Sequence, residues 1–78
     1  YRGFHPGGRL YRPEEWPLAR SLMTGEVVAR EEIRFLRGDD TEGVMEASST
    51  PIYNQQGQII SGVVIFQDVT ERKQAEED

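Results

Sequence analysis

Three stretches of the chain alternate apolar and polar side chains with the two-residue period of a half-buried strand. Over residues 27–37, Val27, Ala29, Ile33 and Phe35 share one face, which Glu31 interrupts, and Arg30, Glu32 and Arg34 share the other. Over residues 44–53, Met45, Ala47 and Ser49 lie opposite Val44, Glu46, Ser48 and Thr50. Pro51 has no N–H for a ladder, so that strand is expected to end irregularly. Over residues 58–67, Ile60, Val64 and Phe66 share a face with Gly62, while Ile59, Val63 and Ile65 share the other with Ser61 and Gln67. A strand that is apolar on both sides needs cover on both sides. Gly38 to Gly43 and Asn54-Gln55-Gln56-Gly57 have turn composition, and connections this short predict an antiparallel meander.

Upstream, the period changes. Pro13, Glu14 and Glu15 suit the first turn of a helix, where proline loses no bond and carboxylates meet the positive end of the dipole. Pro17 divides the segment into a turn at 13–16 and a helix at 17–24, with Leu18 and Leu22, and Ala19 and Met23, as apolar pairs one turn apart. Gly25 is the expected stop. Residues 1–12, with Gly3, Pro6, Gly7 and Gly8, read as a loop. After the third strand comes Asp68-Val69-Thr70, then Glu71-Arg72-Lys73-Gln74-Ala75-Glu76-Glu77-Asp78, which is helix-compatible throughout. Asp68 is placed to cap this helix, with Glu71 reaching back to the Asp68 amide. The run ends so soon that it reads as the start of a longer output or linker helix.

Seventy-eight residues allow one small domain, and at this size only about 60% of the unfolded surface is buried. The chain has no cysteine, which excludes disulfide staples and thiolate metal sites. The remaining means of stabilisation is a partner chain or a further segment, so a homodimer is expected. A net charge of −5 repels phosphate backbones, so no nucleic acid is expected as a partner. No apolar run approaches the ~20 residues of a membrane span. Membrane contact by this segment is therefore not expected, and the cytoplasm is the expected location.

No catalytic set emerges. His5 is the only histidine, lies in a glycine-rich stretch and has no evident ligand partners, so neither metal nor haem is expected. Glu14–Glu15 and Asp39–Asp40 are adjacent pairs that do not converge on one substrate. Trp16 is expected to plug the helix against the sheet.

Pro13-Glu14-Glu15-Trp16-Pro17-Leu18-Ala19-Arg20, Gly25-Glu26-Val27-Val28, Thr50-Pro51-Ile52-Tyr53, and the closing run from Ile60 through Asp68-Val69-Thr70 to Lys73 resemble the C-terminal half of a PAS sensor domain. The likeness is to PAS domains of bacterial multidomain sensor histidine kinases. It implies an α+β fold with a five-stranded antiparallel sheet and helices around a small pocket, the last strand lying beside the first. On that pattern residues 1–12 are an N-terminal remnant, 13–70 a partial PAS domain of one short helix and a three-stranded meander completed by dimerisation, and 71–78 the start of the output helix. The resemblance further implies a ligand-facing or core surface of Phe35, Met45, Ala47, Val64 and Phe66, a signal exit at Asp68, Val69 and Thr70, and a dimer or partner face of Ile59, Val63 and Ile65. It implies a two-component phosphorelay parent whose kinase or other output domain lies outside these residues, and no enzymatic activity here. No cofactor is specified, and the missing cysteine excludes a flavin–thiol adduct. A ligand-free dimerisation module is the alternative.

Overall fold

A computed structural model describes residues 2–77. The elements are β1 (Arg2–Phe4), a 3-10 turn (Pro13–Glu15), α1 (Pro17–Thr24), β2 (Val28–Leu36), β3 (Glu42–Tyr53), β4 (Ile59–Asp68) and α2 (Thr70–Glu77). Tyr1 and Asp78, assigned from sequence to the leading loop and the closing helix, lie outside the described residues. The strands form one antiparallel sheet in the order β1-β2-β3-β4, so the expected meander is present with a fourth strand added beside β2.

That fourth strand corrects the reading of residues 1–12 as loop. Arg2, Gly3 and Phe4 pair with Leu36, Phe35 and Arg34. A tight turn follows, closed by the Gly8 amide on the His5 carbonyl at 2.8 Å and the His5 amide on the Arg9 carbonyl at 2.8 Å. The chain then returns so that Tyr11 N–H reaches Gly3 C=O at 2.7 Å. Gly3 permits this because the Trp16 indole lies where a Cβ would stand.

The helix α1 begins with Pro17 at its first position and ends at Gly25 in the left-handed region (φ 78°), with the Gly25 amide on the Ser21 carbonyl at 3.1 Å. It lies on the face of the sheet carrying the odd-numbered residues of β3. Ala47, Ser49 and Pro51 are buried there, and the fully buried Ser21 hydroxyl meets Ser49 Oγ at 2.6 Å and donates to the Glu26 carbonyl at 2.7 Å. Tyr11, Ile33 and Ala47 form the core, with Trp16 and Met45 packed on it. The helix α2 meets the opposite face. Arg72 reaches Glu46 at 2.6 Å and Lys73 reaches Glu32 at 2.8 Å.

Two bulges shift the faces expected from strict alternation. The register slips between Val28 and Glu31, where Arg30 adopts φ 53° and its amide donates to Ser48 Oγ at 3.0 Å. Val28 therefore turns inward, whereas Val27 is 68% exposed and Ala29 is exposed too, instead of both facing the core with Ile33 and Phe35. The second slip lies between Ile52 and Tyr53, which pair with Ser61 and Ile59 and leave Ile60 without a partner in the ladder. Ile59 consequently leaves the face of Val63 and Ile65. It pairs with Tyr53, and its Cδ1 sits beside Gly25 at the end of α1.

Candidate functional site

Sheet and α2 meet where β4 has ended but β3 still has backbone groups to satisfy. Val69 N–H donates to the Val44 carbonyl at 2.9 Å, and Val44 N–H donates to Thr70 Oγ1 at 2.9 Å, so a backbone amide and a side-chain hydroxyl continue the ladder. The Thr70 hydroxyl donates to Asp68 Oδ1 at 2.6 Å, and the Thr70 amide reaches the same oxygen at 3.0 Å. Lys73 N–H bonds to Val69 C=O at 2.9 Å, so Val69, buried at 4% exposure, is the residue from which the helix starts. The expected reciprocal box with Glu71 does not form. Glu71 is exposed, and Asp68 acts one residue further back, through Thr70. Arg37, from the end of β2, completes the junction, with Nη2 at 3.2 Å from Asp68 Oδ2 and 3.3 Å from Thr70 Oγ1. The Thr70 hydroxyl and amide, aided by Arg37, hold the Asp68 carboxyl below its ordinary pKa.

The same Asp68 lines an open cleft of about 380 Å³ with Trp16, Phe35, Met45 and Phe66. Of the residues expected on the helix-bearing surface, Phe35, Met45 and Phe66 line this cleft. Ala47 is fully buried in the core, and Val64 pairs with Ser49 further along the sheet. Gly43 makes room for the wall, because a Cβ there would strike the Phe35 ring. The Arg37 guanidinium lies over Phe35, 5.2 Å from the ring centre. On the opposite face, Val63 and Ile65 border a shallower depression with Val27 and Thr50.

Beside the core, α1 and β2 share a charge network that alternation alone marked only as an anomaly at Glu31. Arg20 forks onto Glu31 at 2.7 and 2.9 Å and onto Glu26 at 2.8 Å, and Tyr11 Oη donates to Glu31 at 2.6 Å. Burial works to raise the Glu31 pKa, but the bonds from Arg20 and Tyr11 outweigh it and the net shift is downward. Burial, then the bond to Glu31, raises the Tyr11 phenol. Closer to the N-terminus, Arg9 grips Glu15 at 2.8 and 2.9 Å, and the Arg12 amide adds a third bond, drawing the carboxyl down to about 2. His5 stacks on Tyr11 at 3.9 Å and lies 3.4 Å from Glu15. Among the described residues no three His, Asp or Glu side chains converge as a metal site, and no helix is long and apolar enough to cross a membrane.

Trp16 and Arg37 were not singled out as site residues from the sequence. For Arg37 the only local signal is its place at the start of a glycine- and aspartate-rich turn, directly after a strand. Its meeting with Asp68 depends on the pairing of β3 with both neighbours.

A sheet with a helix and an apolar cleft on one side, closing in a capped strand-to-helix junction, is the architecture of a PAS domain. The PAS fold family model matches residues 2–74, and the chain belongs to that family. No curated protein and no solved structure matches it. Membership makes the chain a sensory, signalling or interaction module, and such modules are generally non-catalytic.

Proposed function

We propose that the chain is the signal-relay part of a PAS sensor in a larger bacterial, cytoplasmic signalling protein, a two-component histidine kinase with a phosphorelay output. A change in cleft occupancy or sheet packing passes through Asp68, Val69 and Thr70 into α2 and on to the kinase. The observation that carries this reading is the sharing of Asp68 between cleft and junction, since a group held by both cannot respond to one without the other. The ion pairs of Arg72 and Lys73 with the sheet give the helix a docked position from which to move. In the full-length parent, Thr70→Val should change stimulus-dependent autophosphorylation. An unchanged response would refute the relay, and absence of any phosphotransfer would refute the kinase parent.

The homodimer belongs to the same proposal. The outer edge of β4 is unpaired within the described residues, and Ile60 (63% exposed), Ile65 (65%) and Val63 leave apolar surface beside it. Such an edge is a template for another strand. Light scattering over a dilution series should give twice the 8.9 kDa mass of the chain, and a compact monomer at every concentration would refute this. A ligand-free dimerisation module is the second reading, favoured by the same exposed strand. It predicts a dimer whose stability no cleft ligand alters.

A further inference from the structure

The cleft beneath Trp16 combines three aromatic walls, Trp16, Phe35 and Phe66, with a thioether, Met45, and a single charged lining residue, the carboxylate of Asp68. Ring faces carry the negative end of the aromatic quadrupole and attract a cation lying within about 6 Å of the ring centre. The carboxylate adds attraction of the same sign, and the apolar walls accept an organic body. An anion would meet the like charge of Asp68, and to reach Arg37 at the edge of the cleft it would have to displace that carboxylate. A neutral apolar molecule would fit the walls and leave the carboxylate unused.

The molecule already places a cation at the edge of this site. Arg37 lies 5.2 Å over Phe35 and 3.2 Å from Asp68. It is loosely held. Its contacts to Asp68, Thr70, Glu42 C=O and Thr41 are 3.2, 3.3, 3.2 and 3.5 Å, all at or beyond the long end of the usual N–H···O range. The Arg37 side chain is partly exposed, so it can swing into water without stranding a buried charge. Phe66, 53% exposed, leaves its side of the cleft accessible from solvent.

We propose that this cleft binds a small organic cation, an alkyl- or arylammonium compound, which takes the place of Arg37 on Phe35 and Asp68. The binding stands on the cleft alone. Its consequence for α2 rests on the relay reading given above, because releasing Arg37 removes one of the groups that hold Thr70.

Trp16 is the only tryptophan in the chain and lines the cleft, so its fluorescence reports occupancy directly. The probe is benzyltrimethylammonium, with phenylacetate as the anionic control and benzyl alcohol as the neutral one. The cation should give a saturable change that neither control reproduces. Asp68→Asn, which keeps an acceptor for Thr70, should weaken binding about tenfold, and Phe66→Leu, a change at an exposed position, several-fold. Arg37→Gln removes the competing cation and should tighten binding about threefold to tenfold. No saturable change, an equal response to benzyl alcohol, a preference for phenylacetate, or an Arg37→Gln affinity equal to wild type would each overturn the proposal. Hydrogen exchange of the α2 amides in the same titration separates the two readings. Cation binding with faster α2 exchange supports both, and cation binding with unchanged α2 exchange supports the site while refuting the relay.

Discussion

Replacing Thr70 with valine removes one hydroxyl and almost no volume, so it isolates the bond that joins sheet to helix. The hydroxyl has three tasks. It accepts the Val44 amide at 2.9 Å, donates to Asp68 at 2.6 Å and accepts from Arg37 at 3.3 Å. The contact with Arg37 is long and part-buried, and its loss costs less than that of the Val44 bond. The Val44 amide is the costly loss, because β4 has ended at that level and the valine methyl fills the place of its acceptor. An unsatisfied buried amide costs about 1–3 kcal/mol. Thr70 is only half-buried, so partial hydration brings the expected loss to about 1–2 kcal/mol. Threonine and valine differ little in helix propensity, so the backbone of α2 adds nothing large. For a domain of this size the melting temperature should fall by roughly 4–16 °C. Circular dichroism gives the melt, and hydrogen exchange should show the Val44 and Lys73 amides losing protection while those of β2 facing β3 keep theirs. Thr70→Ser should stay close to wild type. A Thr70→Val melt within experimental error of wild type, with Lys73 still protected, would refute the view that this hydroxyl holds the junction.

Two further outcomes follow from the same geometry. Ser21→Ala leaves the buried Ser49 hydroxyl without its 2.6 Å partner, so it should cost about 1–3 kcal/mol, while the Ser21→Ala, Ser49→Ala double variant should recover part of the loss in urea unfolding. Asp68, Glu15 and Glu31 all have folded pKa values held below their ordinary ones. Such carboxylates bind fewer protons folded than unfolded, so their stabilisation is complete above the unfolded values, near 3.9 for Asp and about 4.3 for Glu, and is lost as pH falls through the folded values. These groups should therefore give the melting temperature little dependence on pH near neutrality and make it fall below about pH 5. Glu15→Gln should flatten that fall down to pH about 2; an equally steep fall in the variant would show that Glu15 is not among the groups responsible.

The elements that alternate or repeat regularly were legible in the residues, and those that depend on a break in the period were not. The helix 17–24 and the cores of three strands follow from apolar spacing that local sterics enforce. Arg2–Phe4 did not, because a three-residue strand has no period to read and Gly3 is there for Trp16, thirteen positions away. The slip at Val28–Glu31 exchanges Val27 and Val28 between faces, and its one local sign is the carboxylate of Glu31 on an otherwise apolar face. Its cause is distant, since Glu31 must meet Arg20 and Tyr11. Asp68-Val69-Thr70 was legible as a junction because carboxylate, hydroxyl and charged helix stand in a row. The part played by Arg37 was not, because the cleft and the junction share it only after β3 has paired with β2 on one side and β4 on the other.

That sharing makes the relay testable from its far end. Coupling free energy between two sites is reciprocal: if a cation in the cleft loosens α2, then loosening α2 must tighten the cation by the same factor. The helix can be loosened without touching the cleft, because Arg72 and Lys73 meet Glu46 and Glu32 on the opposite face of the sheet. Partly exposed surface pairs of this kind contribute about 1 kcal/mol each, so the Arg72→Gln, Lys73→Gln double variant should bind benzyltrimethylammonium more tightly by no more than about thirtyfold, and added salt should bring the wild type toward the variant. An affinity equal to wild type, with α2 shown by hydrogen exchange to be loosened, would mean that the two sides of the sheet act independently. Asp68 would then be a helix cap that happens to border a cleft.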